Sequence, residues 1–217
     1  MMNDYVFVFD LDDTLYKEID FLKSAYRYIA SKVDKDNSSR LYKKMLEDYY
    51  SGENVFQLLS QSYPQYTMDK LLELYRRHYP DITLDSDTTS TLSYLKNFGK
   101  TGLITDGRSL TQRNKIKALG IENYFDKILI SEETGYSKPD LRLFEQFHEY
   151  NASTYFYIAN DTDKDFLAPN QLGWKTICLM DSNSINIRKQ NFNLEKEYLP
   201  IYKINNIKDL KKIINNV

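Results

Sequence analysis

Short apolar runs recur along the chain at 5–9, 101–105, 127–130, 155–159 and 175–179, most of them rich in β-branched or aromatic side chains. Runs of this length without strict polar alternation predict strands buried on both faces. Between the later runs the apolar positions spread to helical spacing, over 110–119 (closed by Gly120) and over 141–150. A last pattern, Ile207, Leu210, Ile213 and Ile214, predicts a C-terminal helix packed on the sheet. Strand and helix alternating in this way predict an α/β fold, a parallel sheet flanked by helices.

One segment breaks the alternation. From about residue 15 to 85 no strand pattern occurs. Leu22, Tyr26, Ile29 and Val33 fall on one helical face, as do Leu41, Met45 and Tyr49, and later Met68, Leu71, Leu72 and Tyr75. Ser51-Gly52 and Tyr63-Pro64 punctuate the run. A small helical insertion directly after the first strand is expected. Its tyrosines (Tyr26, Tyr28, Tyr42, Tyr49, Tyr50, Tyr63, Tyr66) read first as packing residues, a minority of them facing a ligand. Residues 181–200 are polar and unpatterned, and no element is assigned to them.

Length and charge narrow the picture. A chain of 217 residues holds one core domain and a small accessory one. Its 29 Lys and Arg against 31 Asp and Glu leave a charge of −2 with no basic block, which argues against a nucleic-acid partner. The single cysteine, Cys178, cannot form an intrachain disulfide and sits in an apolar run as a buried strand residue. Met1-Met2-Asn3-Asp4 leads straight into the first strand, so no secretory leader is expected. No stretch approaches the roughly 18 apolar residues of a membrane span, so no membrane partner is expected either. A soluble cytoplasmic protein is the expectation, with monomer and weak homodimer both open.

The chemistry concentrates at strand ends. Asp10, Asp12 and Asp13 follow the first run and so come to the rim of a sheet, where open α/β folds bind ligands. Their mutual repulsion calls for a hard divalent cation such as Mg2+, against the plainer reading of a solvated acidic turn. Thr105-Asp106-Gly107 ends the second run ahead of a helix, an anion site or simply a turn. Lys138 precedes Pro139, a residue suited to the first turn of the next helix; Lys138 there neutralises an anion or is an ordinary surface lysine. Asn160-Asp161-Thr162-Asp163-Lys164-Asp165 ends the fourth run and can converge with Asp10 on one cation. A helix starting near Asp163 would put Asp165 in its first turn, where an acidic residue also suits the helix dipole.

In this order the four stations resemble the haloacid dehalogenase (HAD) superfamily, over residues 5 to about 180. Asp10-Leu11-Asp12-Asp13-Thr14 matches its first motif, Thr105 the second, Lys138-Pro139-Asp140 the third, and Asp161 with Asp165 the fourth. Gly107, Gln112, Lys115, Leu119 and Gly120 also follow its spacing, whereas Asn160 stands where a glycine is usual. The resemblance implies a Rossmann-like core over 1–15 and 86–217 with an inserted helical cap over 16–85, hinged near 15–20 and 82–85. It implies Asp10 as nucleophile, Asp12 as general acid and base with a raised pKa, and Lys138 as a catalytic and phosphate-binding cation. Thr105 and Asp106 would hold phosphoryl oxygens. Mg2+ would sit on Asp10, the Asp12 carbonyl and Asp161, with Asp165 ordering a metal-bound water or the loop. The implied activity is hydrolysis of small phosphate monoesters. A phosphomutase is the alternative, and a haloacid dehalogenase or a non-catalytic binding module follows behind. Asp12 argues against dehalogenation, which expels halide and needs no acid. Basic residues of the insertion (Arg27, Arg40, Lys43, Lys44) read as solvated.

Overall fold

The computed structural model describes residues 5–181 and 185–215; the reading of Met1–Asp4 lies outside these residues. Strands β1 (Tyr5–Phe9), β2 (Gly99–Thr105), β3 (Lys127–Ile130), β4 (Thr154–Ala159), β5 (Lys175–Leu179) and β6 (Tyr202–Ile204) form one parallel sheet in the order β3-β2-β1-β4-β5-β6. β1 is central, so its C-terminal end lies at the point where strand order reverses, the place where such sheets bind ligands.

Two-residue periodicity divides the strand side chains between two cores. Phe7, Phe9, Leu103, Phe156 and Ile177 face one layer, with α5 (Ser86–Leu95), α6 (Ser109–Leu119) and the C-terminal α10 (Leu210–Ile214). Val6, Val8, Ile104, Tyr157 and Cys178 face the other, with α8 (Leu141–Glu145) and α9 (Leu167–Gln171). Trp174 is buried in that second layer, stacked on Tyr155 with ring centroids 5.0 Å apart. Phe147 comes so close to β2 that a Cβ on Gly102 would lie 2.1 Å from its ring, which reserves that position for glycine. A short turn of helix, α7 (Ser131–Thr134), follows β3.

The helical insert between β1 and β2 has its own core, Ile19, Leu22, Ile29, Met45, Val55, Leu59 and Leu71, contributed by α1 (Glu18–Val33), α2 (Ser38–Tyr50), α3 (Val55–Ser62) and α4 (Met68–Arg77). Asn54 and Thr67 cap α3 and α4 with their side chains. The insert rests on α6 through Thr111 Oγ1 to the Arg76 carbonyl at 3.0 Å and Asn114 Nδ2 to the His78 carbonyl at 3.2 Å.

Several local expectations change. The pattern over 141–150 is helical only to Glu145 and ends in a 3-10 turn, His148–Tyr150. The helix expected near Asp163 starts at Leu167, so Asp163 and Asp165 lie in the turn before it. Asp140 caps α8, which leaves Pro139 outside the helix rather than in its first turn. α1 already begins at Glu18, so the connection into the insert is shorter than 15–20. Asn160, which stands where a glycine is usual, has no positive φ, so the backbone there does not call for glycine.

Candidate active site

The C-terminal ends of β1, β2 and β4 carry the site, and hydrogen bonds from their loops fix its floor. Lys138 reaches in from the loop after β3. Its Nζ lies 2.6 Å from Asp10 Oδ1 and 2.6 Å from Asp165 Oδ1, and only 1% of its side chain is exposed. Asp165 is wholly buried; its Oδ2 accepts the Asp161 amide at 2.9 Å, and Tyr157 donates to its Oδ1 at 3.3 Å. Asp165 therefore ties Lys138 to the turn that presents Asp161. Asn160, the departure from glycine, accepts from the Thr14 hydroxyl at 3.2 Å, and the same hydroxyl lies 3.2 Å from Asp10 Oδ2. The substitution links the loops after β1 and β4.

Asp12 points to other partners. Tyr16 (2.5 Å) and Lys115 (2.7 Å) donate to its Oδ1, and Gln112 (3.1 Å) to its Oδ2. Gln112 also donates to Thr105 Oγ1 at 3.0 Å, so α6 fixes a side chain from each of the first two motifs. Asp106 accepts the Lys138 amide at 3.1 Å and Lys164 Nζ at 3.0 Å, which makes its carboxylate a brace for the loops.

These partners push the two aspartates in opposite directions. Burial raises Asp10 to about 7 although Lys138 opposes it. Burial would raise Asp12 too, but the charge and hydrogen bond of Lys115, with Tyr16 and Gln112, outweigh it and lower the pKa below 3.8. The expectation of a raised Asp12 is thus corrected: its nearest strong neighbour is a lysine, not another carboxylate. Lys138 stays charged, because the attraction of Asp10 and Asp165 exceeds its desolvation.

A cavity of about 280 Å³ opens above the floor, lined by Asp10, Asp12, Glu18, Thr105, Asp161 and Arg188, among others. An adjoining space of about 610 Å³ runs along the connections to the insert, past Asp20, Asp85 and Asp181. None of Arg27, Arg40, Lys43 or Lys44 lines the cavity. Arg188 comes from residues 185–191, where no element was expected. The Ile187 amide donates to Asp13 Oδ2 (3.1 Å), Gln190 Nε2 to the Asn160 carbonyl (2.9 Å) and the Asn191 amide to Thr162 Oγ1 (2.8 Å). This irregular strap is fastened to the loops after β1 and β4, and it brings the Arg188 guanidinium within 3.6 Å of Asp161. Its polar composition carries no periodicity from which that docking could be read.

The donor set suits a hard cation. Among the described residues no three His, Cys, Asp or Glu side chains cluster as a metal cage. The expected set needs only two carboxylates and one carbonyl. Asp161 Oδ2 is buried without a hydrogen-bond donor, an orphaned oxygen that a cation would satisfy.

Comparison with known proteins agrees with this fold. The chain belongs to the haloacid dehalogenase-like hydrolases, whose family model matches residues 7–179. It is 28% identical to the glyceraldehyde 3-phosphate phosphatase of Methanocaldococcus jannaschii, covering 97% of this chain and 96% of that one. It is 26% identical to the enzyme of the same name from Methanothermobacter thermautotrophicus, over 95% and 97% of the two chains. Among solved structures, the magnesium-bound HAD-hydrolase YfnB of Bacillus subtilis superposes with a TM-score of 0.68 at 19% identity, over 97% of this chain and 98% of that one.

Proposed function

We propose that this protein is a Mg2+-dependent phosphatase of small phosphate monoesters that works through an aspartyl-phosphate on Asp10. The observation that carries this reading is the arrangement at the end of β1. Asp10 is held by a buried lysine, and Asp12, two residues on, is held separately by Lys115. Two carboxylates in different environments suit two roles, nucleophile and proton carrier. Residues 16–85 act as a cap on the core formed by 1–15 and 86–217, and they exclude bulk water when closed. The full-length relatives named as phosphatases of a small sugar phosphate support this substrate class.

In the first step an Asp10 oxygen attacks phosphorus and the bond to the leaving oxygen breaks, with a proton from Asp12. In the second, water attacks the aspartyl-phosphate, Asp12 takes the water's proton, and phosphate leaves. Asp12 is ionised in the arrangement seen, so it gains its proton as the phosphate dianion approaches, because a like charge raises a carboxylate's pKa. Lys138 and Thr105 hold phosphoryl oxygens. Asp10, the Asp12 carbonyl and Asp161 would hold Mg2+, which supplies positive charge against the repulsion between carboxylate and phosphate.

The test is phosphate release from a panel of small esters, with Mg2+ present and then chelated. Release that depends on Mg2+ and disappears in Asp10→Asn, with the melting temperature retained, is the expected result. Full activity in Asp10→Asn would remove Asp10 as nucleophile. A phosphorylated enzyme that persists without net phosphate release would favour the phosphomutase.

A further inference from the structure

The carboxylates lining the cavity differ in one respect. Asp10, Asp12 and Asp106 each face a lysine, Asp13 accepts two backbone amides, and Asp161 accepts the Asp163 amide with Arg188 nearby. Among the described residues the carboxylate of Glu18 has no hydrogen-bond or ion-pair partner, although it lines the same cavity. It is half-buried in the first turn of α1, with its amide held by Asp13 Oδ1 at 2.9 Å, so its position is set.

Charge is distributed unevenly around this space. Three cations lie with the phosphoryl machinery, Lys138 on Asp10, Lys164 on Asp106 and Arg188 beside Asp161, while Lys115 is engaged by Asp12. Glu18 lies on the other side. It lines the cavity with Asp12, and its amide is tied to Asp13, the residue after Asp12, which puts it on the side of the residue proposed to serve the leaving oxygen. The phenols of Tyr49 and Tyr75, from the helices of the insert, also feel its charge. A leaving group entering this half meets a carboxyl without a hydrogen-bond or ion-pair partner among the described residues; the cation that acts on it, Lys115, is taken up by Asp12 at 2.7 Å and does not line the cavity.

We propose that Glu18 selects the leaving group: it accepts hydrogen bonds from the hydroxyls of an uncharged polyol or sugar ester. It disfavours esters with a carboxylate or a second phosphate close to the scissile bond. This rests on the phosphatase reading and narrows it to a substrate class. A buried acceptor answered by a hydroxyl is a discriminating contact, and a like charge in its place is repelled.

Glycerol 3-phosphate and 3-phosphoglycerate share a carbon skeleton and differ in a hydroxymethyl against a carboxylate. Each is measured as a competitor of p-nitrophenyl phosphate hydrolysis, so that a slowly turned-over ester is still read. The wild-type protein is expected to bind the hydroxymethyl ester at least about tenfold more tightly, the scale of one like-charge contact at a partly desolvated site. Glu18→Lys removes or reverses the preference and Glu18→Gln narrows it. Asp20→Lys, which alters charge two residues on at an exposed position facing the adjoining space, keeps the wild-type ratio. If Glu18→Lys does not fold, the narrowing in Glu18→Gln decides. Esters that compete equally or not at all with the wild type, or a ratio moved as far by Asp20→Lys, overturn the proposal. No hydrolysis of p-nitrophenyl phosphate by the wild type would overturn the phosphatase reading instead.

Discussion

Asp10, at the end of β1, and Glu18, in the first turn of α1, are both pushed up to about 7 by burial, yet their surroundings differ. Asp10 belongs to a floor where acidic groups have donors and loops are tied to one another through Lys138, Asp165, Asn160 and Gln112. Glu18 belongs to a wall, contributed by the insert, where its carboxyl has no hydrogen-bond or ion-pair partner among the described residues. The floor's side chains depend on one another, so it should tolerate little change. The wall can change its charge without dismantling the fold, which suits it to choosing among substrates.

Removing the floor's lysine should have the largest effect. Lys138→Met leaves Asp10 and the fully buried Asp165 without their cation, and urea unfolding should show a loss of about 3–5 kcal/mol, the usual cost of stripping one partner from a buried pair. Adding Asp165→Asn should recover part of it, whereas Glu18→Ala alone should cost under about 1 kcal/mol. An equal loss from Glu18→Ala would erase the contrast between floor and wall. Next comes Lys115→Met. It frees Asp12 to take up a proton, so kcat should fall by about tenfold to a hundredfold and the descending limb of the pH–rate profile should move to higher pH. An unmoved limb would separate Lys115 from the proton carrier.

The smallest effect is in the pH dependence of stability. In the metal-free protein the unfolded chain loses the Asp10 and Glu18 protons near 3.8 and 4.5, while the folded chain keeps both to about 7. The folded state binds more protons across that window, so these two groups make stability fall as pH rises from about 4 to about 7. His78, lowered below 6.5 by burial, works the other way. Thermal melts of Glu18→Gln should show a shallower fall, because one of the two protons is gone. An unchanged slope would remove Glu18 from the titration.

Legibility followed the range of the interactions. The strands were readable because burial on both faces leaves an uninterrupted apolar run, and three of the four motifs because they stand at or just past a strand end, whereas Lys138 lies eight residues beyond β3, past α7. α5 was missed: Ser86–Leu95 is rich in serine and threonine, and it is a helix because Asp85 caps it and Leu92 and Leu95 are buried. β6 has only three residues, too few to show a period. The direction of Asp12's shift was misread because its partner, Lys115, lies 103 positions away. Glu18, Arg188 and the strap escaped for the same reason, since nothing local marks which solvated-looking charge will face a cavity.

Trp174 and Cys178, the chain's one tryptophan and one cysteine, share the core layer packed against α8 and α9. Burial pushes the Cys178 thiol up to about 12, so an alkylating reagent must wait for that layer to open. Indole fluorescence and thiol labelling are therefore two gauges on one compartment. Neither reports directly on the insert, whose loosening must be followed through its tyrosines or through a probe placed there.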